Sequence, residues 1–248
     1  VMSLGIRAFV SSAIESVYMP KLKTIAYGAF YNSALKGDVE FPELMSIEQN
    51  GGIDTGCFYN TKITKFTAPK LNVITGDVRA VERSGILEQC TELVEVDAPS
   101  LTASYRMFVG CTKLEKVNCP FKTMGRENFY NCSNLYDVNF SECETVDYYA
   151  FGNCTSLTTV NAPKLVTIND GAFINSGIQS ISAPLCTTIN KRAFYNTPLT
   201  GTVEFPELTI INVGTASGAY GAFQNTKSLT KLIAPKLKTI SNHTGLSS

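Results

Sequence analysis

Cys90, Cys111, Cys132 and Cys154 stand 21, 21 and 22 residues apart, which puts half of the chain's eight cysteines on one regular interval. Thiols on a period have two chemical readings, a ladder of disulfides or a set of metal ligands. Both are weakened by what stands at the same place in neighbouring stretches: Ser33, Thr61, Ser176, Thr197 and Thr226. Exchange with Ser and Thr describes a column of small, half-buried side chains, and stacked side chains point in parallel rather than at one another. There is no Cys-x-x-Cys pair and no histidine nearby, so no metal site is assigned. Cys143 and Cys186 occupy positions that elsewhere hold leucine and read as core fillers. The expectation is free, buried thiols.

Other catalytic chemistry finds little to use. His243 is the only histidine, and it falls in a C-terminal tail, whereas a triad or metal site needs a histidine held on a rigid frame. Glu95, Asp97, Asp137, Glu142 and Asp147 are candidate acids, yet they alternate with lysines, and a glycosidase pair needs two carboxylates facing across a cleft. No glycine-rich phosphate loop is present. The chain reads as non-enzymatic, with no cofactor.

The elements that hold these residues repeat. Asp147-Tyr-Tyr-Ala-Phe-Gly-Asn-Cys-Thr-Ser-Leu-Thr-Thr-Val-Asn-Ala-Pro-Lys-Leu-Val-Thr-Ile168 is followed by a second copy from Asn169 to Ile189. The frame is Ala-Phe-x-Asn-[Cys/Ser/Thr]-x-x-Leu-x-x-Val-x-x-Pro-x-Leu-x-x-Ile. Its anchor recurs at Phe9, Phe30, Phe58, Leu87, Phe108, Phe129, Phe151, Phe173, Phe194 and Phe223. A short unit repeated in tandem cannot bury its own apolar face, so it stacks on its neighbours as a solenoid. Three longer steps carry glycine-rich insertions, 48–56, 75–85 and 211–221, all between a unit's final Ile and the next anchor, and these are expected as loops on one side.

Within each unit, Leu-x-x-Val is short, β-branched and threonine-rich, which predicts a strand. The proline after it ends the strand. Leu-x-x-Ile predicts a second short extended segment, and Ala-Phe-x-Asn a single helical or 3-10 turn. Coils should stack about 4.8 Å apart. The Asn column (32, 60, 131, 153, 175, 196 and 225) is expected to be internal and to bond turn backbone in its own and neighbouring coils. Of the glycosylation sequons at Asn131, Asn139, Asn153 and Asn242, those at Asn131 and Asn153 fall in this column, where a glycan would block stacking. Residues after the prolines alternate in sign, as Lys21, Glu43 and Lys70 do, an arrangement that favours register. One extra residue at Gly37 and at Gly201 predicts a β-bulge at each.

Totals agree. Apolar residues are 44% and charged residues 17%, so a core can form. Lys plus Arg equals Asp plus Glu at 21 each, which gives no electrostatic reason to seek nucleic acid or an anionic membrane. No run of about 18 apolar residues exists to span a bilayer. The first residues lack the pattern of a signal peptide, and the chain opens already inside a repeat at Ile6-Arg-Ala-Phe9, as a piece of a longer precursor would. The expected organisation is one domain over 1–248, with repeats from about 6 to 240 and a short tail at 241–248.

The frame resembles the BspA-type leucine-rich repeats of bacterial surface proteins, best in Tyr149-Ala-Phe-Gly-Asn-Cys-Thr-Ser-Leu157 and Glu127-Asn-Phe-Tyr-Asn-Cys-Ser-Asn-Leu135. The unit around Leu87, with Gln89 in place of Asn, departs most. The resemblance implies a right-handed leucine-rich-repeat solenoid, β-rich with short helical or 3-10 turns, in about ten coils. It also implies location at the cell surface or outside the cell, and a role in adhesion or protein recognition.

What remains for function is surface. The outward residues of the Leu-x-x-Val strands give a column of Lys65, Glu95, Lys116 and Asp137, flanked by Glu115, Tyr136, Asn118 and Asn139. An extended, rigid repeat face of this kind is the usual binding surface of a solenoid, and it is the candidate partner-binding face. Tyr31, Tyr59, Tyr130 and Tyr195 form a second, broken stripe, and the glycine-rich insertions are a third option. The leading reading is a non-enzymatic interaction or adhesion module whose partner is a protein, such as host matrix or another surface protein. The alternatives are a glycan- or cell-wall-binding module, against which the absence of tryptophan counts, and a structural spacer without a ligand.

Overall fold

Leucine and valine three residues apart cannot both face a core from one side of a flat strand, so each unit bends where the strand begins and again after its proline. In the computed structural model, which describes residues 2–49, 56–75, 85–214 and 220–242 (the last two by backbone alone), this produces two strands per coil. The Leu-x-x-Val strands Lys36–Glu40, Lys62–Thr67, Glu95–Asp97, Lys116–Asn118 and Asp137–Val138 pair in parallel as a five-stranded sheet. The row continues as two parallel pairs, Thr159–Asn161 with Ser180–Ser182 and Thr200–Glu204 with Ser228–Ile233.

Leu-x-x-Ile segments make the opposite wall. Met2–Leu4, Leu22–Ile25, Ser46–Glu48 and Val73–Thr75 form four parallel strands, and seven more run from Ala103–Ser104 to Thr239–Asn242. Every pairing joins a residue to its equivalent one coil away, as Thr123, Thr145, Thr167 and Thr188 do. The chain is therefore a β-rich solenoid. Among the described residues there is no helix.

The Ala-Phe-x-Asn turn has the i→i−3 bonding of a 3-10 turn without its uniform dihedrals. Gly152 N donates to Tyr149 O and Cys154 N to Phe151 O. Tyr149 and Asn153 take φ of 54° and 63°, the left-handed region, which points the intervening N–H groups along the solenoid axis. They bond the next coil: Phe151 N to Ala172 O at 2.8 Å and Asn153 N to Ile174 O at 2.9 Å. Asparagine and glycine tolerate this conformation best, which is why the column holds Asn, with Gly110 in one coil.

This corrects the expectation for the Asn column. These side chains lie outside the core, and six of the seven bond a counterpart rather than backbone, Asn60 to Asn32 among them. Asn153 Nδ2 donates to Asn131 Oδ1 (2.7 Å), Asn175 to Asn153 (3.1 Å) and Asn196 to Asn175 (3.0 Å). A glycan at Asn131 or Asn153 would thus break an external amide ladder, not core stacking. A second ladder, absent from the sequence reading, follows the final Ile: Asn212 Nδ2 to Asn190, Asn190 to Asn169, and Asn169 to Asp147.

The anchors form the core. Phe30, Phe58, Phe108, Phe129, Phe151, Phe173 and Phe194 are fully buried, and stacked neighbours such as Phe129 and Phe151 lie 4.9 Å apart at 15°. Leu87 fills its place in the column, and the side chain of its Gln89 lies over Gly110 of the next coil. Both predicted bulges are present: pairing slips between Gly37 and Asp38 and between Gly201 and Thr202, with each glycine in the left-handed region. Three alternating-charge pairs close, Lys70–Glu43 at 2.6 Å, and Lys164–Glu142 and Lys236–Glu207 at 2.7 Å. Parts of each glycine-rich insertion (50–55, 76–84, 215–219), with His243 and the rest of the tail, lie outside the described residues.

Candidate functional site

Period-two alternation decides which side chains the five-stranded sheet offers. Val96 and Val117 point into the core, so Glu95, Asp97, Lys116 and Asn118 point out. Parallel register then aligns them: Lys65 opposite Glu95, Glu95 opposite Lys116, and Lys116 opposite Asp137. The predicted column is a real rank of side chains on adjacent strands. Lys65 and Glu95 form an ion pair at 2.9 Å, and the bond from Glu95 raises the Lys65 pKa above its ordinary value. Asn118 Nδ2 donates to Asp97 Oδ1 at 2.7 Å.

A shallow depression runs across these strands, lined by Glu95, Lys116, Asn118, Asp137 and Asn139 above Val96 and Val117, whose side chains are buried in the core. It gathers five of the eight predicted residues. Lys65 joins through its ion pair. Glu115 and Tyr136 sit one position back along their strands, joined by the bond from Tyr136 N to Glu115 O, with the Tyr136 side chain half exposed. Asn139 has a local task as well, because its Oδ1 accepts from Ser141 N and Oγ and turns the chain where other coils have proline. Asp97 belongs to this face and had been read only as one scattered carboxylate; its place two residues after Glu95 was the available signal. Beyond Asp137 the same face becomes hydroxyl-rich, with Thr159 bonded by Ser180 Oγ.

The other sequence candidates resolve separately. Each cysteine of the periodic column donates to the carbonyl of the preceding coil's anchor: Cys90 to Phe58, Cys111 to Leu87, Cys132 to Phe108 and Cys154 to Phe129, all at 3.0 Å. Thr61 and Thr197 bond the anchor carbonyl of their own coil instead. The position thus takes a small buried side chain, which donates where it is Cys or Thr, while the buried hydroxyls of Ser33 and Ser176 find no partner among the described residues. All eight thiols are free and buried. Burial pushes the Cys90 thiol up to about 11 and those of Cys119, Cys143 and Cys186 to about 12. Among the described residues no three His, Cys, Asp or Glu side chains are grouped to hold a metal ion. The acids are engaged: Glu142 by Lys164, and Asp147 by Tyr148 N and Asn169. Of the tyrosine stripe, Tyr31 and Tyr59 stack at 4.8 Å, while Tyr130 and Tyr195 lie far along the solenoid against other rings.

A sequence model described as a BspA type leucine rich repeat region, in six copies, matches residues 2–122, 83–200 and 122–244. The chain belongs to the BspA-type leucine-rich repeat family. Among solved structures it is similar to a leucine rich cell surface protein from Faecalibacterium prausnitzii, at 21% identity and a TM-score of 0.51 over 80% of this chain and 47% of that one. It is also similar to leucine-rich repeat proteins from Eubacterium ventriosum (17% identity, TM-score 0.43, 100% of this chain and 76% of that one) and Bacteroides ovatus (16%, 0.41, 93% and 75%). This BspA-type chain thus spans about half the length of the Faecalibacterium protein. No curated protein matches its sequence. Among the described residues no helix is long and apolar enough to cross a membrane.

Proposed function

We propose that this BspA-type solenoid is a non-enzymatic adhesion module of a bacterial cell-surface protein, and that its strand face binds a protein partner. One observation carries the reading: register brings Lys65, Glu95, Lys116 and Asp137 into a single rank bordering a shallow depression. Fixed charges of both signs on adjacent strands would orient a partner and raise its on-rate. The rank is held by main-chain pairing on both sides, so a partner would bind a preformed surface. Location outside the cell rests on the family and on the surface description of the Faecalibacterium protein.

The test is a binding screen of the purified chain against extracellular-matrix and bacterial surface proteins, repeated with Lys65→Glu, Glu95→Lys and Lys116→Glu combined. A protein hit that the charge reversal weakens about tenfold or more would support both the module and its face. A hit indifferent to the reversal would move the site elsewhere, and no protein hit at all would sink the reading.

A further inference from the structure

Along the turns of five consecutive coils, from Phe129 to Phe223, aromatic rings and guanidinium groups form one cluster. Tyr148 and Tyr149 pack with centroids 4.3 Å apart. Arg126 lies over Tyr148 at 4.7 Å, and Arg192 over both Tyr149 and Tyr220 at 5.5 Å. Little in the residue pattern signals it, because Arg126 and Tyr148 sit three residues before their anchors while Tyr149 and Arg192 sit two before theirs.

The charges here are not equally available. Asp170 is largely buried and is consumed by Arg192 in a bidentate pair at 2.9 and 2.8 Å. Glu127 is likewise largely buried between Arg106 and Arg126. What reaches water is cationic: Arg126, 36% exposed, and Lys191, 43% exposed and 3.4 Å from Asp170 Oδ2. Arg126 contacts Glu127 only through Nε, at 3.3 Å, and its Nη groups have no hydrogen-bond partner among the described residues. Its guanidinium lies over a ring with the Nη donors free, and such a donor edge can take a carboxylate or sulfate with two parallel bonds.

We propose that the Arg126–Tyr148–Tyr149–Arg192 cluster is a binding site for acidic saccharides, with Arg126 gripping a carboxylate or sulfate group. A neutral sugar is disfavoured, since each of the two central rings already has a guanidinium over it. An extended peptide is disfavoured because the main-chain donors of these turns are spent between coils, Tyr149 N on Asp170 O and Asn153 N on Ile174 O. Amide and phenol groups, which both donate and accept as sugar hydroxyls do, border the site: Tyr130 directly precedes Asn131, where the amide ladder starts. The site shares no residue with the strand face, so either can fail alone.

Calorimetric titration of the whole chain at low salt tests it, with a short oligogalacturonate and a heparin-derived oligosaccharide as probes, and maltohexaose and a glutamate oligopeptide as comparisons. Binding of an acidic saccharide is expected, weakened about tenfold by Arg126→Gln, less by Arg126→Lys, and measurably by Lys191→Gln. Charge reversal at Lys65, Glu95 and Lys116 should leave it unchanged. Absence of acidic-saccharide binding, equal binding by Arg126→Gln and Lys191→Gln chains with native melting curves, or a preference for maltohexaose or the peptide would each overturn the proposal.

Discussion

Phe151 has an aromatic ring stacked on each side, Phe129 at 4.9 Å and Phe173 at 5.4 Å, and none of its surface reaches water. Phe151→Ala should therefore destabilise the chain by about 3–5 kcal/mol, since the void cannot collapse between two stacked rings. A loss below about 1 kcal/mol in urea melts would refute the anchor assignment. The thiols make a second prediction. Their folded pKa values are raised, to about 11 at Cys90 and about 12 at Cys119, Cys143 and Cys186, against an ordinary 9.0. A raised acid binds more protons folded than unfolded above pH 9, so its contribution is complete below the ordinary value and is lost as pH climbs towards the folded one. The urea midpoint should fall steadily between pH 8 and pH 11, and replacing Cys90 and Cys119 by Thr and Ala should flatten that slope. Such residue-scale features were the easiest to read from sequence. Phe at a fixed interval has one interpretation, whereas Asn153 has two, a buried amide or a left-handed turn residue, and a positive φ leaves no mark in a string of letters.

At the scale of the element, glycine separates backbone strain from crowding. Gly37 has a φ of +73° and open space where a side chain would go. Gly37→Ala should then cost about 1–2 kcal/mol, the price of the left-handed conformation alone. At Gly177 an added Cβ would come within 2.0 Å of Thr155 O in the adjoining coil, an atom of the backbone that cannot step aside. Gly177→Ala should cost more than Gly37→Ala in the same melts, and the reverse order would mean that the coils are less closely apposed than described. Both bulges were legible, because one extra residue with a glycine inside a strand pattern has a defined geometric outcome. The second amide ladder was not: Asp147, Asn169, Asn190 and Asn212 differ in type at one end and have no counterpart in most other coils.

For the molecule as a whole, burial of the anchors is graded along the described coils. Phe9 and Phe223 are just partly buried, while anchors from Phe30 to Phe194 are buried fully. Hydrogen exchange should be slowest in the coils around Phe129 to Phe173 and quicken toward both ends, as expected when stability is a sum of nearest-neighbour terms. Uniform protection would point to all-or-none opening instead. The strand face was half legible at this scale: a period of two assigns sides, but only register says that Lys65, Glu95, Lys116 and Asp137 share one line. The Arg126–Tyr148 cluster was not legible, since its members come from different columns of the frame and meet only because the turns stack.

Because each coil is fastened to the next by the same ladder of main-chain and amide bonds, the solenoid also has a mechanical character. Pulled along its axis, it would load those bonds one row at a time, as a zipper does, and release one coil at each yield, of 21 or 22 residues, or of 28 or 29 where an insertion lies. A short coil pays out about 70 Å of chain. Tension on such a stack is dissipated coil by coil, in small steps, rather than in a single rupture.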